Sequence, residues 1–248
     1  MPPFQLARRS LDPGLFSDNA PTMQAYYDSV VGVPFFERLD HSPTYAELFF
    51  ELPEGKLKIQ ASTEPMDKAV TGYRQLILAR PGRDEVTVLT DPDGLTVNLV
   101  PVGHRGVTNV GLVCAVPDLE VQRRFLLDGM QAEEVDGGFT VGSTRIFLEH
   151  DPAQQRSTPP MRRGFTYITL IVHDIEAVHR SLLDAGGEHS LRILRLADRC
   201  LFSWVRDPHG NWVEMVQYAE LSGPLPDVDR IADHWEEVIL WREQAVAV

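Results

Sequence analysis

The residue with the clearest chemical potential in this sequence is Glu214, within the alternating segment RDPHGNWVEMVQY at 206–218. Successive residues of a strand point to opposite faces, so Val213 and Met215 share one face while Trp212 and Glu214 share the other. A carboxyl group among apolar neighbours has a raised pKa and can act as a general acid or base. The alternative is that Glu214 pairs with an arginine across a cleft, and the sequence leaves both interpretations open.

The same alternation applies to the segment at 167–172, where it turns Tyr167 toward the face opposite Ile168 and Leu170. Tyr167 is suited to donate a hydrogen bond to an oxyanion that develops beside Glu214, which makes these two the candidate catalytic residues. Trp204 and Trp212 are candidate walls of a ligand pocket. Packing in the core is an equal alternative for both tryptophans.

Other catalytic arrangements lack the residues that they need. Cys114 and Cys200 stand in no CxxC motif or Cys/His cluster, which favours buried structural thiols and leaves a catalytic thiol as the alternative. The sequence has no GxSxG, GxGxxG or P-loop motif. The histidines show no HxH or HxxxH spacing and are interpreted as surface or turn residues.

The elements that would position these residues belong to an internal repeat. The segment TDPDGLTVNLVPV at 90–102 recurs as RDPHGNWVEMVQY at 206–218, with a shared Asp-Pro-x-Gly start. This start is typical of a tight turn, since proline fixes φ and glycine permits a positive φ, and the alternating residues that follow predict a strand. Two equivalent hairpins indicate a duplicated unit.

The repeat extends to four units with the order strand, helix and three strands. They cover 6–64, 72–102, 107–151 and 164–218. Asp174 is the candidate cap of the last unit's helix, whereas the second unit runs through Arg80-Pro81-Gly82 directly into its next strand and is predicted to lack a helix. Segment 151–163 is interpreted as a linker, and the tail after Tyr218 as a loop followed by an amphipathic helix.

These four units, the segment DPHGNWVE at 207–214 and the helix end YYDSVVG at 26–32 resemble the vicinal oxygen chelate superfamily. That superfamily includes glyoxalase I, extradiol dioxygenases and bleomycin resistance proteins. The resemblance covers about 6–218 and implies an α+β fold in which tandem βαβββ modules pair into two U-shaped cleft domains. It implies an N-terminal domain at 1–104, a C-terminal domain at 105–218, and a loop with an amphipathic helix at 219–248.

In this superfamily, ligands come from the first and last strands of each module, and the matching positions are unusual here. In the second half they are Asn109, Phe147, Tyr167 and Glu214, with Glu149 two residues beyond Phe147 on the same face. In the first half they are Asp12, Gln60, Gln75 and Asn98.

No imidazole stands at any of these positions, and amide or phenol groups are poor ligands for transition metals. The resemblance therefore implies no resident cofactor and no metal ligands, with a divalent Fe, Mn, Zn or Ni ion as the alternative. The polar residues of the first half suit hydrogen bonds to an organic ligand, while a weak Mg²⁺ or Ca²⁺ site and an internal polar network remain open.

Length, composition and charge limit the classes of partner that this protein is expected to bind. The chain has 248 residues, 43% of them hydrophobic, and a net charge of −13, which argues against nucleic acid or an anionic membrane as a partner. No segment approaches the roughly 20 apolar residues of a membrane span, and the first residues lack the apolar core of a signal peptide. We expect a cytoplasmic monomer or homodimer whose partner is a small organic molecule.

Two functions of different class follow. The first is a binding protein that holds a small molecule without a transition metal, similar to the antibiotic-sequestering branch of the superfamily. The second is an enzyme, either a metal-independent lyase or isomerase that uses Glu214 and Tyr167, or a dioxygenase or glyoxalase-like lyase that depends on a divalent metal. The fold accommodates both classes, so the site must decide between them.

Overall fold

The computed structural model describes residues 5–234 and contains the four predicted units. The first unit consists of β1 (Asp12–Ser17), α1 (Ala20–Ala25), a π-helical turn (Tyr26–Val31), β2 (Phe35–Ser42), β3 (Tyr45–Leu52) and β4 (Gly55–Ser62). The second consists of β5 (Tyr73–Arg80), β6 (Thr87–Thr90) and β7 (Thr96–Pro101). As predicted, no helix lies between β5 and β6.

The last two units are complete. The third consists of β8 (Val110–Val116), α2 (Leu119–Arg124), a π-helical turn (Phe125–Gly129), β9 (Glu133–Val135), β10 (Gly138–Val141) and β11 (Thr144–His150). The fourth consists of β12 (Gly164–Ile171), α3 (Ile175–Asp184), β13 (Glu188–Leu196), β14 (Cys200–Arg206) and β15 (Trp212–Tyr218). The α+β fold of tandem βαβββ-type modules is therefore confirmed.

The chain after β15 is described only in part. A single helical turn, α4 (Ala219–Ser222), follows at once, and a 3₁₀ turn (Ile231–Asp233) packs beside β13. Most of the predicted amphipathic helix lies outside the described residues. No described helix is long and apolar enough to cross a membrane.

The four units pair into two sheets, and the pairing differs from the division expected at residues 104 and 105. The first and fourth units form an eight-stranded sheet in the order β13-β14-β15-β12-β1-β4-β3-β2, and the second and third form a seven-stranded sheet in the order β6-β7-β5-β8-β11-β10-β9. The antiparallel joints are β1 with β12 and β5 with β8. Each sheet thus combines strands from both halves of the sequence.

The repeated Asp-Pro-x-Gly segments form equivalent turns before β7 and β15. One carboxylate oxygen of Asp91 accepts hydrogen bonds from the backbone N–H groups of Asp93 and Leu95, at 2.9 and 2.8 Å. Asp207 accepts the equivalent bonds from His209 and Asn211, at 2.9 and 2.8 Å. These aspartates satisfy the backbone of a tight turn, so the most conspicuous repeat in the sequence has a structural role.

The alternation predicted for β12 and β15 is confirmed by the packing. Val213 and Met215 lie in the main hydrophobic core, together with Ile168 and Leu170, whereas Tyr167 belongs to a separate aromatic cluster. On α3, the Asp174 carboxylate accepts a hydrogen bond from the N–H of Ala177 at 3.0 Å, as predicted for the helix cap.

Candidate functional site

The open face of the eight-stranded sheet bears a cavity of about 260 Å³. Because the first and fourth units share this sheet, it gathers predicted residues from both halves of the sequence. Gln60 on β4 and Glu214 on β15 line the cavity, while Asp12 and Tyr167 lie beneath them on β1 and β12. The lining includes six aromatic side chains, Phe16, Tyr45, Phe49, Phe202, Trp204 and Tyr218, and six polar ones, His41, Glu47, Lys58, Gln60, Arg199 and Glu214.

At the floor of the cavity, Glu214 forms a buried ion pair with Lys58. The Lys58 ammonium group contacts Glu214 Oε2, and the Thr169 hydroxyl donates a hydrogen bond to the same oxygen at 2.7 Å. The side chain of Lys58 is only 2% exposed and that of Glu214 10%. The partner of Glu214 is thus a lysine from the first unit, in place of the arginine considered from the sequence.

The electrostatic surroundings keep Lys58 protonated. Burial alone would lower its pKa, but attraction from Glu214, Glu47 and Asp12 raises the pKa of Lys58 above its ordinary value. Burial raises the pKa of Glu214, and the nearby Lys58 opposes that shift. The pair is therefore a contact between an ammonium ion and a carboxylate whose basicity is increased by its apolar surroundings.

Gln60 connects the cavity to Tyr167 through a small hydrogen-bond network. Its side-chain amide group donates to Glu47 Oε1 at 2.8 Å and to the Tyr167 hydroxyl at 3.1 Å, while the Tyr45 hydroxyl donates to its carbonyl oxygen. Burial raises the pKa of Tyr167 well above its usual value, and Glu214 adds to the shift. Tyr167 is fully buried and does not line the cavity, so its hydroxyl supports Gln60 from below.

Asp12 forms a second buried ionic contact behind Lys58. Its carboxylate accepts a hydrogen bond from the backbone N–H of Lys56 at 2.8 Å and pairs with Arg8 at 3.2 Å. Burial raises the pKa of Asp12 to about 6, against the opposing effects of Arg8 and Lys58. Asp12 is thus already engaged with protein groups and is separated from the cavity surface.

The two candidate tryptophans occupy different positions. Trp204 lines the cavity and packs against Tyr167 with ring centroids 4.7 Å apart. Trp212 is 1% exposed, donates its indole N–H to the carbonyl of Thr158 at 2.7 Å and lies under the Arg206 guanidinium at 4.1 Å. Trp204 therefore borders ligand space, whereas Trp212 is enclosed by the linker and its own sheet.

The remaining predicted site residues lie on the seven-stranded sheet or beside it. Asn98 donates to the Gln75 side chain at 2.9 Å, and Asn109 donates to the carbonyl of Pro53. Phe147 packs in an apolar cluster that fills this face, and Glu149 is exposed near the end of β11. These residues are separated from the cavity that contains Glu214.

The sequence reasoning missed Lys58, Glu47 and Tyr218 as cavity residues. A signal for Lys58 existed, because it shares the Gln60 face of a strand whose other face carries Leu57 and Ile59. The contact of Lys58 with Glu214 could not be predicted in the same way. Lys58 lies on β4 and Glu214 on β15, and these strands share a sheet only because β1 pairs with β12.

Comparison with known proteins supports the relationship indicated by the repeat. Residues 112–215 match the family model described as Glyoxalase/Bleomycin resistance protein/Dioxygenase superfamily. No curated protein matches the chain in sequence. Among residues 5–234, no group of three or more His, Cys, Asp or Glu side chains is placed to hold a metal ion.

Several solved structures share the fold. Glyoxalase I from Zea mays is similar over 93% of this chain and 96% of its own, with a TM-score of 0.63 and 15% identity. A putative dioxygenase from Bacillus subtilis subsp. subtilis str. 168 is similar over 93% of this chain and 94% of its own, with a TM-score of 0.63 and 13% identity. At such identities the likeness concerns the fold and leaves the chemistry to the residues of the cleft.

Proposed function

Because residues 112–215 match the model of the Glyoxalase/Bleomycin resistance protein/Dioxygenase superfamily, we propose that the cleft of the eight-stranded sheet binds a small organic molecule without a transition metal. The observation that carries this proposal is the buried Lys58–Glu214 ion pair at the cavity floor. Glu214 is the single carboxylate that remains in the second half of the sequence from the metal-binding pattern implied by the family resemblance. The Lys58 ammonium group in contact with it supplies a fixed positive charge at the cavity floor.

The side chains of this cleft do not fit a divalent transition metal. Of the eight positions that the family resemblance implies, four lie together on this sheet and provide two carboxylates, Asp12 and Glu214, together with the amide of Gln60 and the phenol of Tyr167. Asp12 is engaged with Arg8 and the backbone of Lys56, and Glu214 with Lys58 and Thr169. A metal ion would have to displace a buried ammonium group, and none of these four positions provides an imidazole or a thiolate ligand.

The form of the cavity supports the binding of an organic molecule. Apolar and aromatic walls surround a few polar groups, which is the usual composition of a small-molecule site. Its volume of about 260 Å³ is slightly below the ~300 Å³ at which such sites typically begin, which favours a compact ligand.

An acid–base enzyme is the second candidate, and one observation favours it. Glu214 lines the cavity and burial raises its pKa, as a general acid or base requires. Tyr167 does not line the cavity, so such an enzyme would rely on Glu214 without a direct contact from this hydroxyl. Turnover of a bound ligand that is lost in Glu214→Gln, while ligand affinity persists in the variant, would favour the enzyme.

A fragment screen with a cavity-filling variant tests the proposed function. Small aromatic compounds are screened by ligand-detected NMR in the presence of EDTA, with wild type, Cys200→Phe and Val88→Phe. Cys200 lines the cavity, whereas Val88 is exposed on the edge strand β6, so the second variant adds the same ring elsewhere.

We expect fragments to bind to wild type and Val88→Phe and to lose affinity for Cys200→Phe, with circular dichroism verifying that each variant is folded. Binding that needs an added divalent metal, or that persists unchanged in a folded Cys200→Phe protein, would contradict the proposal.

A further inference from the structure

Resting on the proposed function of this cleft, we propose that its ligand is a compact arylalkylamine, with the rings held between the aromatic walls and the ammonium group beside Glu47. The inference depends on three features of the cavity: the position of Glu47, the state of the two nearby cations, and the character of the walls. Each feature is observed independently of the others.

Glu47 is the carboxylate of the cleft that has no lysine or arginine as its ionic partner among the described residues. Asp12 pairs with Arg8 at 3.2 Å and Glu214 with Lys58. The contacts of Glu47 are the neutral amide of Gln60 at 2.8 Å and the His41 ring at 3.6 Å. Its side chain lines the cavity and is 13% exposed, so a ligand can reach it without displacing a lysine or an arginine.

The two permanent cations of the lining are already paired, which disfavours an anionic ligand. Lys58 is in contact with Glu214 and only 2% exposed, and Arg199 lies 3.5 Å from Glu37. A ligand carboxylate beside Lys58 would also approach Glu214 and Glu47. The cleft therefore has more negative than positive charge available to a ligand, in keeping with the net charge of −13.

The carboxylates of the cleft also act on two neutral residues of its lining, Cys200 and Tyr218. The pKa of Cys200 is raised to about 12 by burial and then by Glu214 and Glu47, against Arg199 and Lys58. Burial raises the pKa of Tyr218 well above its usual value, and Glu47 is the next largest cause. Both groups therefore resist acquiring negative charge inside this cavity.

The walls are suited to the aromatic part of such a ligand. Tyr45, Trp204 and Phe202 line the cavity, and an aromatic face attracts a cation within about 6 Å of its centre. An ammonium group beside Glu47 and Tyr45 would thus gain both an ionic and a cation–π contact. The restricted volume favours one or two fused rings.

Three naphthalene compounds that differ in one substituent test the inference. 2-Naphthylmethylamine is cationic, 2-naphthalenemethanol is neutral and 2-naphthoate is anionic at pH 7, while the ring system stays the same. Isothermal titration calorimetry in EDTA gives the affinity of each for wild type, Glu47→Gln and Glu51→Gln. Glu51 lies on β3 with Glu47 and on the same face, but outside the cavity and paired with Lys56, so it is the matched control.

We expect the amine to bind wild type at least tenfold more tightly than the alcohol, and the acid to bind most weakly. Glu47→Gln should remove the preference for the amine with little effect on the alcohol, and Glu51→Gln should leave the order unchanged. Equal affinities, or tighter binding of the alcohol or the acid, would overturn the inference while the proposed binding function stands. Failure of all three compounds to bind would overturn both.

Discussion

At the scale of single residues, the cleft is organised by the Lys58–Glu214 pair. Removing two charges from water is costly, and the cost is recovered only when the charges are in contact and their other polar atoms are bonded. Thr169 provides such a bond to Glu214, while Glu47 and Asp12 add attraction for the ammonium group. The pair therefore tolerates removal of both partners better than removal of either one.

A double-mutant cycle on this pair makes that expectation quantitative. Lys58→Met and Glu214→Gln should each lower the free energy of unfolding by about 3 kcal/mol, because each leaves a buried group without its partner. The double variant should be clearly more stable than the sum of the two losses predicts. Chemical denaturation measures all four proteins, and strictly additive losses would show that the two side chains do not interact.

Asp12 gives a pH-dependent prediction. Its pKa is about 6 in the folded protein and 3.8 in the reference state, so the folded protein holds the proton more tightly. The contribution of Asp12 to stability is full below about pH 4 and is lost as the pH rises through 6. The shift of about two pKa units corresponds to about 3 kcal/mol.

Denaturation of wild type and Asp12→Asn between pH 4 and 7 isolates this effect from other titrating groups. The free energy of unfolding of wild type minus that of the variant should fall by about 3 kcal/mol across the range. A difference that is constant with pH would show that Asp12 keeps its ordinary pKa.

At the scale of elements, a close approach between β1 and β12 supports the cavity floor. Gly14 pairs with Tyr167 across the two strands, and a methyl group at Gly14 would lie 2.1 Å from the tyrosine ring. Because Gly14 has no side chain, the Tyr167 ring can pack directly against the backbone of β1. Tyr167 in turn packs against Trp204 in the cavity wall.

Gly14→Ala should consequently lower the free energy of unfolding by about 1–3 kcal/mol and weaken ligand binding, because Tyr167 and Trp204 must move. Thermal unfolding and the naphthalene titration measure the two effects. Combining Gly14→Ala with Tyr167→Leu removes the ring that causes the clash, so the alanine should then cost less. The same cost in both backgrounds would refute this explanation.

Strand-level features were the part of the site most accessible from sequence. Alternation correctly separated Trp212 and Glu214 from Val213 and Met215, since a strand has a strict period of two. The Asp91 and Asp207 turns were equally predictable, because their chemistry is local. The grouping of Asp12 with Glu214 was not, since it depends on the joint between β1 and β12, whose paired residues are 148 to 157 positions apart.

At the scale of the whole molecule, the two sheets interlock the halves of the chain. The eight-stranded sheet needs the first and fourth units, and the seven-stranded sheet needs the second and third. Cleavage between residues 104 and 105 would break the backbone between β7 and β8, and in the separated N-terminal fragment β1 and β5 would each have one unpaired edge. Unpaired strand edges of this kind promote aggregation.

Fragments 1–104 and 105–248 should therefore fail to fold separately and should recover native structure when expressed together. Circular dichroism and the dispersion of amide NMR signals measure this outcome. Two fragments that fold independently into stable, well-dispersed domains would contradict the observed sheet pairing.

The metal content of the protein decides most directly whether this cleft binds its ligand without a transition metal. Untagged wild type and Glu214→Gln are purified without chelator and analysed by plasma mass spectrometry, before and after dialysis against Fe(II), Mn(II), Zn(II) and Ni(II). We expect no stoichiometric ion that depends on Glu214. A near-stoichiometric ion in wild type that is lost in Glu214→Gln would contradict this expectation.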